Sequence, residues 1–198
     1  MIEQHVPRTT YHVPRLIVGI SGASGAIYGI ELLKALKDAS VETHLIISKS
    51  AQITITHETD YSLAQVQKLA SHFYASGDMA AHISSGSFKT MGMIVAPCSM
   101  RSLAEIATGC TTTLLSRAAD VVLKERRRLV LLPRETPLHS IHLRNMLTLS
   151  DMGVIIAPPL PAFYSKPASV DELVKHTVGR VLDLFDIEHG LVRRWEGV

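Results

Sequence analysis

The chain has 198 residues, room for one α/β domain with a substantial core or at most two small units. Hydrophobic residues make up 46% and charged residues 19%, with a net charge of +2, so nothing demands nucleic acid or an anionic membrane as partner. Cys98 and Cys110 form no CxxC pair, which argues against a disulfide scaffold and a zinc knuckle and points to a reducing, cytoplasmic home.

Residues 1–14, "MIEQHVPRTTYHVP", lack the apolar run of a secretory signal and are expected to form an N-terminal arm ahead of one domain over 15–198. No apolar run reaches the length of a membrane span. The run "RLIVGI" (15–20) suits a buried parallel strand, and residues 26–39 then carry apolar positions at helical spacing. A second strand is expected in "ETHLIIS" (42–48), followed by Glu58 of "HETD" in a polar loop, where its bland role is a helix cap. Residues 60–90 are the least decided: "YSLAQVQKLA" has a helical pattern, while "SGDMAAHISSGSFK" has loop composition. Strands are expected again at "GMIVAP" (92–97), "RLVLLP" (128–133) and "GVIIAP" (153–158). Helices are expected over 113–124, from Pro137 in a first turn, and over 170–185. Strand and helix in alternation predict a single-domain α/β fold, a doubly wound parallel sheet of Rossmann-like type.

Ligands of open α/β sheets bind beyond the carboxyl ends of the strands, so the residues after each strand matter most. In order they are Ser21, Gly22, Ala23, Ser24 and Gly25; Ser48 and Lys49; Cys98, Ser99, Met100, Arg101 and Ser102; Arg134 and Glu135; and "PPLPAFY", ending in Tyr164. The glycines Gly19, Gly22 and Gly25 are spaced GxxGxxG rather than GxGxxG, and Glu42 opens the second strand where a ribose-binding acid would close it. NAD is disfavoured, and neither a P-loop nor a GxSxG elbow is present. A short Gly/Ser turn whose free N–H groups open a helix suits one phosphate, which favours FMN; the competing reading is that Gly22 and Gly25 only permit close packing.

Arg117 and Lys124 stand two helical turns apart on one face, and Arg134 with Glu135 follows the next strand, which predicts a cationic pocket with one acid. Such a pocket suits a departing phosphate, since each contact to a developing anion typically lowers the barrier by about 2.7 to 4 kcal/mol. The "KERRR" cluster is expected at a solvated helix end or a subunit contact. His139 and His142, three apart, lack a third ligand, so no metal site is expected there. Cys98 is expected as a small core residue. Trp195, near the C-terminus, is expected to pack on a partner surface or to line an apolar pocket.

The strings "GISGASGAIYG", "ISKSA", "HETD", "SSGSF", "APCSMRSLAEIATG", "RAADVVLKERR", "LVLLPRETPLHSIHLRNM", "PPLPAFYSKPAS" and "VGRVLD" resemble those of the UbiX-type flavin prenyltransferases from Arg15 to Trp195. The resemblance implies a metal-independent, homododecameric flavoprotein. It would join a dimethylallyl group from dimethylallyl phosphate to N5 and C6 of reduced FMN, making prenylated FMN for UbiD-type decarboxylases. Carried over by motif, Gly22, Ala23, Ser24, Ser48, Ser99, Met100, Arg101, Ser102 and Arg134 would hold FMN, with Arg117 in support. Lys124, Glu135, Tyr164 and Arg180 would surround the prenyl phosphate, Ser24 and Glu58 would move protons near N5, and Trp195 would wall the isoprenoid pocket. The resemblance leaves open whether Glu58 serves its own subunit or a neighbour. Arg128 departs from the Pro of many relatives, and the stretch 60–79 varies within the family.

Two rivals stand beside this reading. An FMN-dependent cysteine decarboxylase of similar fold would carry a "PASANT"-like turn where this chain has "PCSMRS". A non-enzymatic flavin carrier would keep the Gly/Ser turn and leave Lys124, Glu135, Tyr164 and Arg180 without a task.

Overall fold

The computed structural model describes residues 13–192. Six parallel strands form one sheet in the order β3-β2-β1-β4-β5-β6. They are β1 (Arg15–Ile20), β2 (Glu42–Ile47), β3 (His72–Ala75), β4 (Gly92–Cys98), β5 (Arg128–Pro133) and β6 (Ile155–Ile156). Among the described residues the α-helices are α1 (Ala26–Asp38), α2 (Lys49–Glu58), α3 (Leu63–Gln67), α4 (Met100–Thr108), α5 (Leu114–Lys124), α6 (Ser140–Asp151) and α7 (Val170–Asp183).

The strands bury both faces by simple alternation. Leu16, Val18 and Ile20 of β1 join Ile94 and Ala96 of β4 and Val130 and Leu132 of β5 in one core, under α1, α2 and α7. Ile17, Met93, Val95, Leu129 and Leu131 point the other way, under α4, α5 and α6. Successive side chains on a strand face opposite sides, so near-continuous apolar runs are what a doubly covered parallel sheet requires. Each fully buried Leu or Ile contributes roughly 1.5–3 kcal/mol relative to exposure, before conformational entropy is counted.

Five expected strands are present, and one was missed. The edge strand β3 lies in the 60–90 stretch, and its short, mostly exposed sequence "HFYA" gives no apolar run to detect. The helical pattern at "YSLAQVQKLA" is α3, opened by a capping box of Ser62 and Gln65. Two corrections concern helices. Glu58 is the last residue of α2 rather than a loop residue. Pro137 lies in a loop ahead of α6, whose N-cap is the His139 ring accepting from Ile141 N–H at 3.2 Å. The expected arm falls mostly outside the described residues, but the Pro14 carbonyl accepts Glu42 N–H at 2.9 Å and so begins the ordered sheet.

Candidate functional site

Chain order reverses between β1 and β4, which opens a crevice at the carboxyl ends of these neighbouring strands. Ser21, completely buried, stitches its two sides together. Its hydroxyl donates to the Pro97 carbonyl at 2.8 Å and accepts Ser99 N–H at 2.7 Å. Three helices open at this edge. Ser48 caps α2 by accepting Ala51 N–H at 3.1 Å. Ser99 caps α4 by accepting Ser102 N–H at 3.3 Å while donating to the Ser102 hydroxyl at 3.2 Å.

The third helix, α1, is capped differently from expectation. Gly25 sits at φ 100°, a left-handed conformation that glycine adopts without steric cost, and offers no side chain. The Glu58 carboxylate takes the place of a cap, accepting Gly25 N–H at 2.7 Å and Ala26 N–H at 3.4 Å. The two N–H groups expected to be free for a phosphate are therefore held by an acid from the far end of α2, a placement favoured by the positive end of the helix dipole. Gly22 is fixed by close approach: a Cβ there would lie 2.2 Å from Ser50 Cβ, so the first turn of α2 rests on the turn after β1.

Arg134 and Glu135 enter from β5, both exposed, with Arg134 N–H donating to the Cys98 carbonyl at 3.2 Å. The Glu135 carboxylate accepts Thr136 N–H at 3.0 Å. Burial raises the pKa of Tyr28 on α1, and the nearby Arg134 charge only partly opposes it, which sets a neutral phenol beside that guanidinium. Cys98 is completely buried and its thiol is pushed up to about 12 by desolvation, in keeping with a core role.

Two further expected arginines are held by partners on their own helices, and Lys124 lies elsewhere. Arg101, on α4, pairs with Glu105 at 3.0 Å, and Arg117, in the first turns of α5, pairs with Asp120 at 2.7 Å. Helix α5 starts beside the end of β3, where Leu114 N–H meets the Ser76 carbonyl, and runs back to the start of β5. Lys124, at its last turn, is thus at the opposite edge of the sheet, paired with Glu125 at 2.5 Å and close to Gly86. Arg117 and Lys124 share a helix without forming one pocket, because seven residues of helix separate them by about 10 Å.

Tyr164 and Arg180 meet around His176. The Tyr164 hydroxyl lies 2.9 Å from His176 Nε2, and both His176 and Arg180 line a cleft of about 310 Å³ with Ala157, Pro158, Leu160 and Ala162. Arg180 also pairs with Asp183 at 2.6 Å. Trp195 lies outside the described residues. Sequence reasoning placed Ser21 at this edge without its bridging role, and it missed Tyr28 and His176, whose partners lie 106 and 12 positions away in the chain and leave no local pattern.

Comparison with known proteins shows relatives in sequence and in fold. A family model described as "Flavoprotein" matches residues 5–182. A Bacillus subtilis protein named "Probable UbiX-like flavin prenyltransferase" is 59% identical over 184 residues, covering 93% of this chain and 90% of that protein. A crystal structure of AnUbiX (PadA1) in complex with FMN and dimethylallyl pyrophosphate superposes with a TM-score of 0.93 at 53% identity, covering 94% of this chain and all of that one. A dodecameric FMN-dependent UbiX-like decarboxylase from Escherichia coli O157:H7 superposes with a TM-score of 0.91 at 57% identity, over 92% of this chain and all of that one. The chain belongs to the flavoprotein family, among its UbiX-like flavin prenyltransferases.

Proposed function

We propose that the protein transfers a dimethylallyl group from dimethylallyl phosphate to reduced FMN, forming bonds at flavin N5 and C6 and releasing phosphate. The observation that carries this is the Ser/Gly crevice at the β1–β4 reversal, in a chain 53% identical to one whose structure holds FMN and dimethylallyl pyrophosphate. The crevice fits FMN: hydroxyls and helix openings at Ser48, Ser99 and Ser102 and the Arg134 cation supply donors for a single phosphate and a polar flavin edge, while Gly22 lets the first turn of α2 close on the turn after β1. Ala23, Ser24, Met100 and Arg101 complete this edge, with Arg117 in support. With Glu58 occupying the α1 opening, the phosphate role falls to the α2 and α4 openings.

Lys124, Arg134, Arg180 and the Tyr164 hydroxyl hold the prenyl phosphate and stabilise its departing charge without a metal ion. Glu135 supplies or removes the proton that ring closure demands, and Glu58 with Ser24 handles protons near N5. Lys124 stands at the far edge of its own sheet, so its assignment to the prenyl phosphate rests on the crevice of a neighbouring copy, in a dodecamer like that of the E. coli O157:H7 protein. Trp195 is assigned to the wall of the isoprenoid pocket. The product is prenylated FMN, and a UbiD-type decarboxylase is its recipient. Among the described residues no helix is long and apolar enough to cross a membrane, and both cysteines are free; a cytoplasmic setting agrees with these facts.

The deciding experiment is mass spectrometry of flavin extracted after anaerobic incubation with reduced FMN and dimethylallyl monophosphate or diphosphate. A gain of one C5 unit supports prenyl transfer and identifies the better donor. FMN bound but unchanged with both donors would favour the flavin-carrier reading.

A further inference from the structure

The amino-terminal edge of the sheet, away from the flavin crevice, carries a cluster for which prenyl transfer has no use. Glu42 and His44 are two apart on β2 and so share one face, while His72 on the edge strand β3 stands in register with His44. Glu42 Oε1 lies 3.1 Å from His44 Nε2 and 3.4 Å from His72 Nε2, and the three ligand atoms lie within 4.8 Å of one another. Two donors bound tetrahedrally at about 2.0–2.1 Å from one Zn²⁺ stand roughly 3.3 Å apart, which is the spacing observed from the carboxylate oxygen to each imidazole.

The surroundings orient these groups as outer partners of a metal site do. His44 Nδ1 is engaged by the Tyr74 hydroxyl at 3.0 Å, which leaves Nε2 facing the cluster. Arg15 Nε donates to Glu42 Oε2 at 3.0 Å, which leaves Oε1. The His44 ring is buried, stacked on His72 at 4.9 Å and edged by Phe88, whereas the His72 side chain is 53% exposed and gives an ion a way in. Arg15 offsets the Glu42 charge, and the donor set of two imidazoles and one carboxylate suits Zn²⁺ and its first-row neighbours rather than Mg²⁺ or Ca²⁺.

We propose that Glu42, His44 and His72 bind one divalent cation of the Zn²⁺ type, which clips the edge strand β3 to β2. The test uses the full chain, stripped with a chelator and then titrated with Zn²⁺ alone by calorimetry, with thermal midpoints recorded in both states. The expected result is one Zn²⁺ per chain and a higher midpoint with metal, because an ion that binds only the folded state stabilises it. His72→Ala, an exposed edge change whose fold is checked by circular dichroism, should weaken binding at least about tenfold and abolish the midpoint shift. His142→Ala should change neither, although it breaks the His139–His142 stack, the other close histidine pair. Non-stoichiometric binding, or stoichiometric binding that survives His72→Ala, would overturn the assignment.

Discussion

Replacing Ser21 by Ala removes a single oxygen, yet that oxygen joins the two loops that form the crevice. Its two bonds do not count equally. The Pro97 carbonyl also accepts the backbone N–H of Ser21 at 3.2 Å, so it keeps a partner when the hydroxyl is lost. Ser99 N–H, bound to the hydroxyl at 2.7 Å, is the group left without one. A buried donor stranded in this way costs about 1–3 kcal/mol. For a chain of this size each kcal/mol moves the midpoint by about 2–4 °C, so a fall of roughly 2–12 °C is expected. Ser99 is also the cap of α4, so the hydroxyls of Ser99 and Ser102, proposed above to hold FMN, lose their fixed position, and FMN affinity should fall with stability. Thermal unfolding and FMN titration at a fixed chain concentration read the two effects. A midpoint within 1 °C of wild type together with unchanged FMN affinity would refute the idea that this hydroxyl joins the two sides of the site.

The GxxGxxG spacing and the placement of Glu42 at the start of β2 imply strong binding of FMN and weak binding of NAD or FAD; a titration ranking NAD first would be incompatible with the crevice assignment. Arg134→Ala should weaken FMN binding by the roughly 1.5–3 kcal/mol of a charged hydrogen bond, while Glu135→Gln should bind FMN normally and slow single-turnover product formation by about 10²- to 10⁴-fold. Equal loss of FMN affinity in both variants would show the two roles wrongly divided. Prenyl transfer should survive EDTA, since cations of the chain hold the phosphate and the proposed Zn²⁺ cluster lies at the other edge of the sheet; loss of turnover restored by Mg²⁺ would contradict this. The exposed Cys110 should react with a thiol reagent at pH 8, whereas Cys98, with its pKa raised to about 12, is a thiolate only to about one part in 10⁴ and should react only on unfolding.

Most of the sheet was legible because a parallel strand covered on both faces is an uninterrupted apolar run, and "RLIVGI", "GMIVAP" and "RLVLLP" have no rival reading. Strand β3 was not, since an exposed edge strand of four residues carries no such run and is defined by its partner β2. The loops after each strand were identified correctly as the polar edge of the sheet, but their internal wiring was not. That Glu58 caps a helix was within reach of its sequence context; that the helix is α1, 33 positions away, depends on how α2 packs against the turn after β1. Lys124 shows the opposite failure. Helical spacing correctly put it on the face of Arg117, but spacing gives no direction relative to the sheet, and the direction of α5 carries it to the wrong edge.

The same layout links the proposed assembly to the proposed chemistry. In one chain Arg134 and Glu135 face solvent, and so do large apolar side chains on the elements that flank them: Ile141 and Leu147 of α6, Leu160 and Phe163 of the loop after β6, and Val170 at the start of α7. An allylic phosphate gives a carbocation-like fragment as it departs, and water at that moment would divert the group to hydrolysis. Neither exposed charges nor an open apolar rim can exclude water, whereas contact between copies would bury both together and make each cation more effective by lowering the dielectric around the phosphate. Lys124, stranded at the far edge of its own sheet, is then available to complete the site of a neighbour. On the proposed assembly, closing the apolar rim and completing the cationic pocket become a single event, so a lone chain is expected to bind flavin and to fail in the transfer itself.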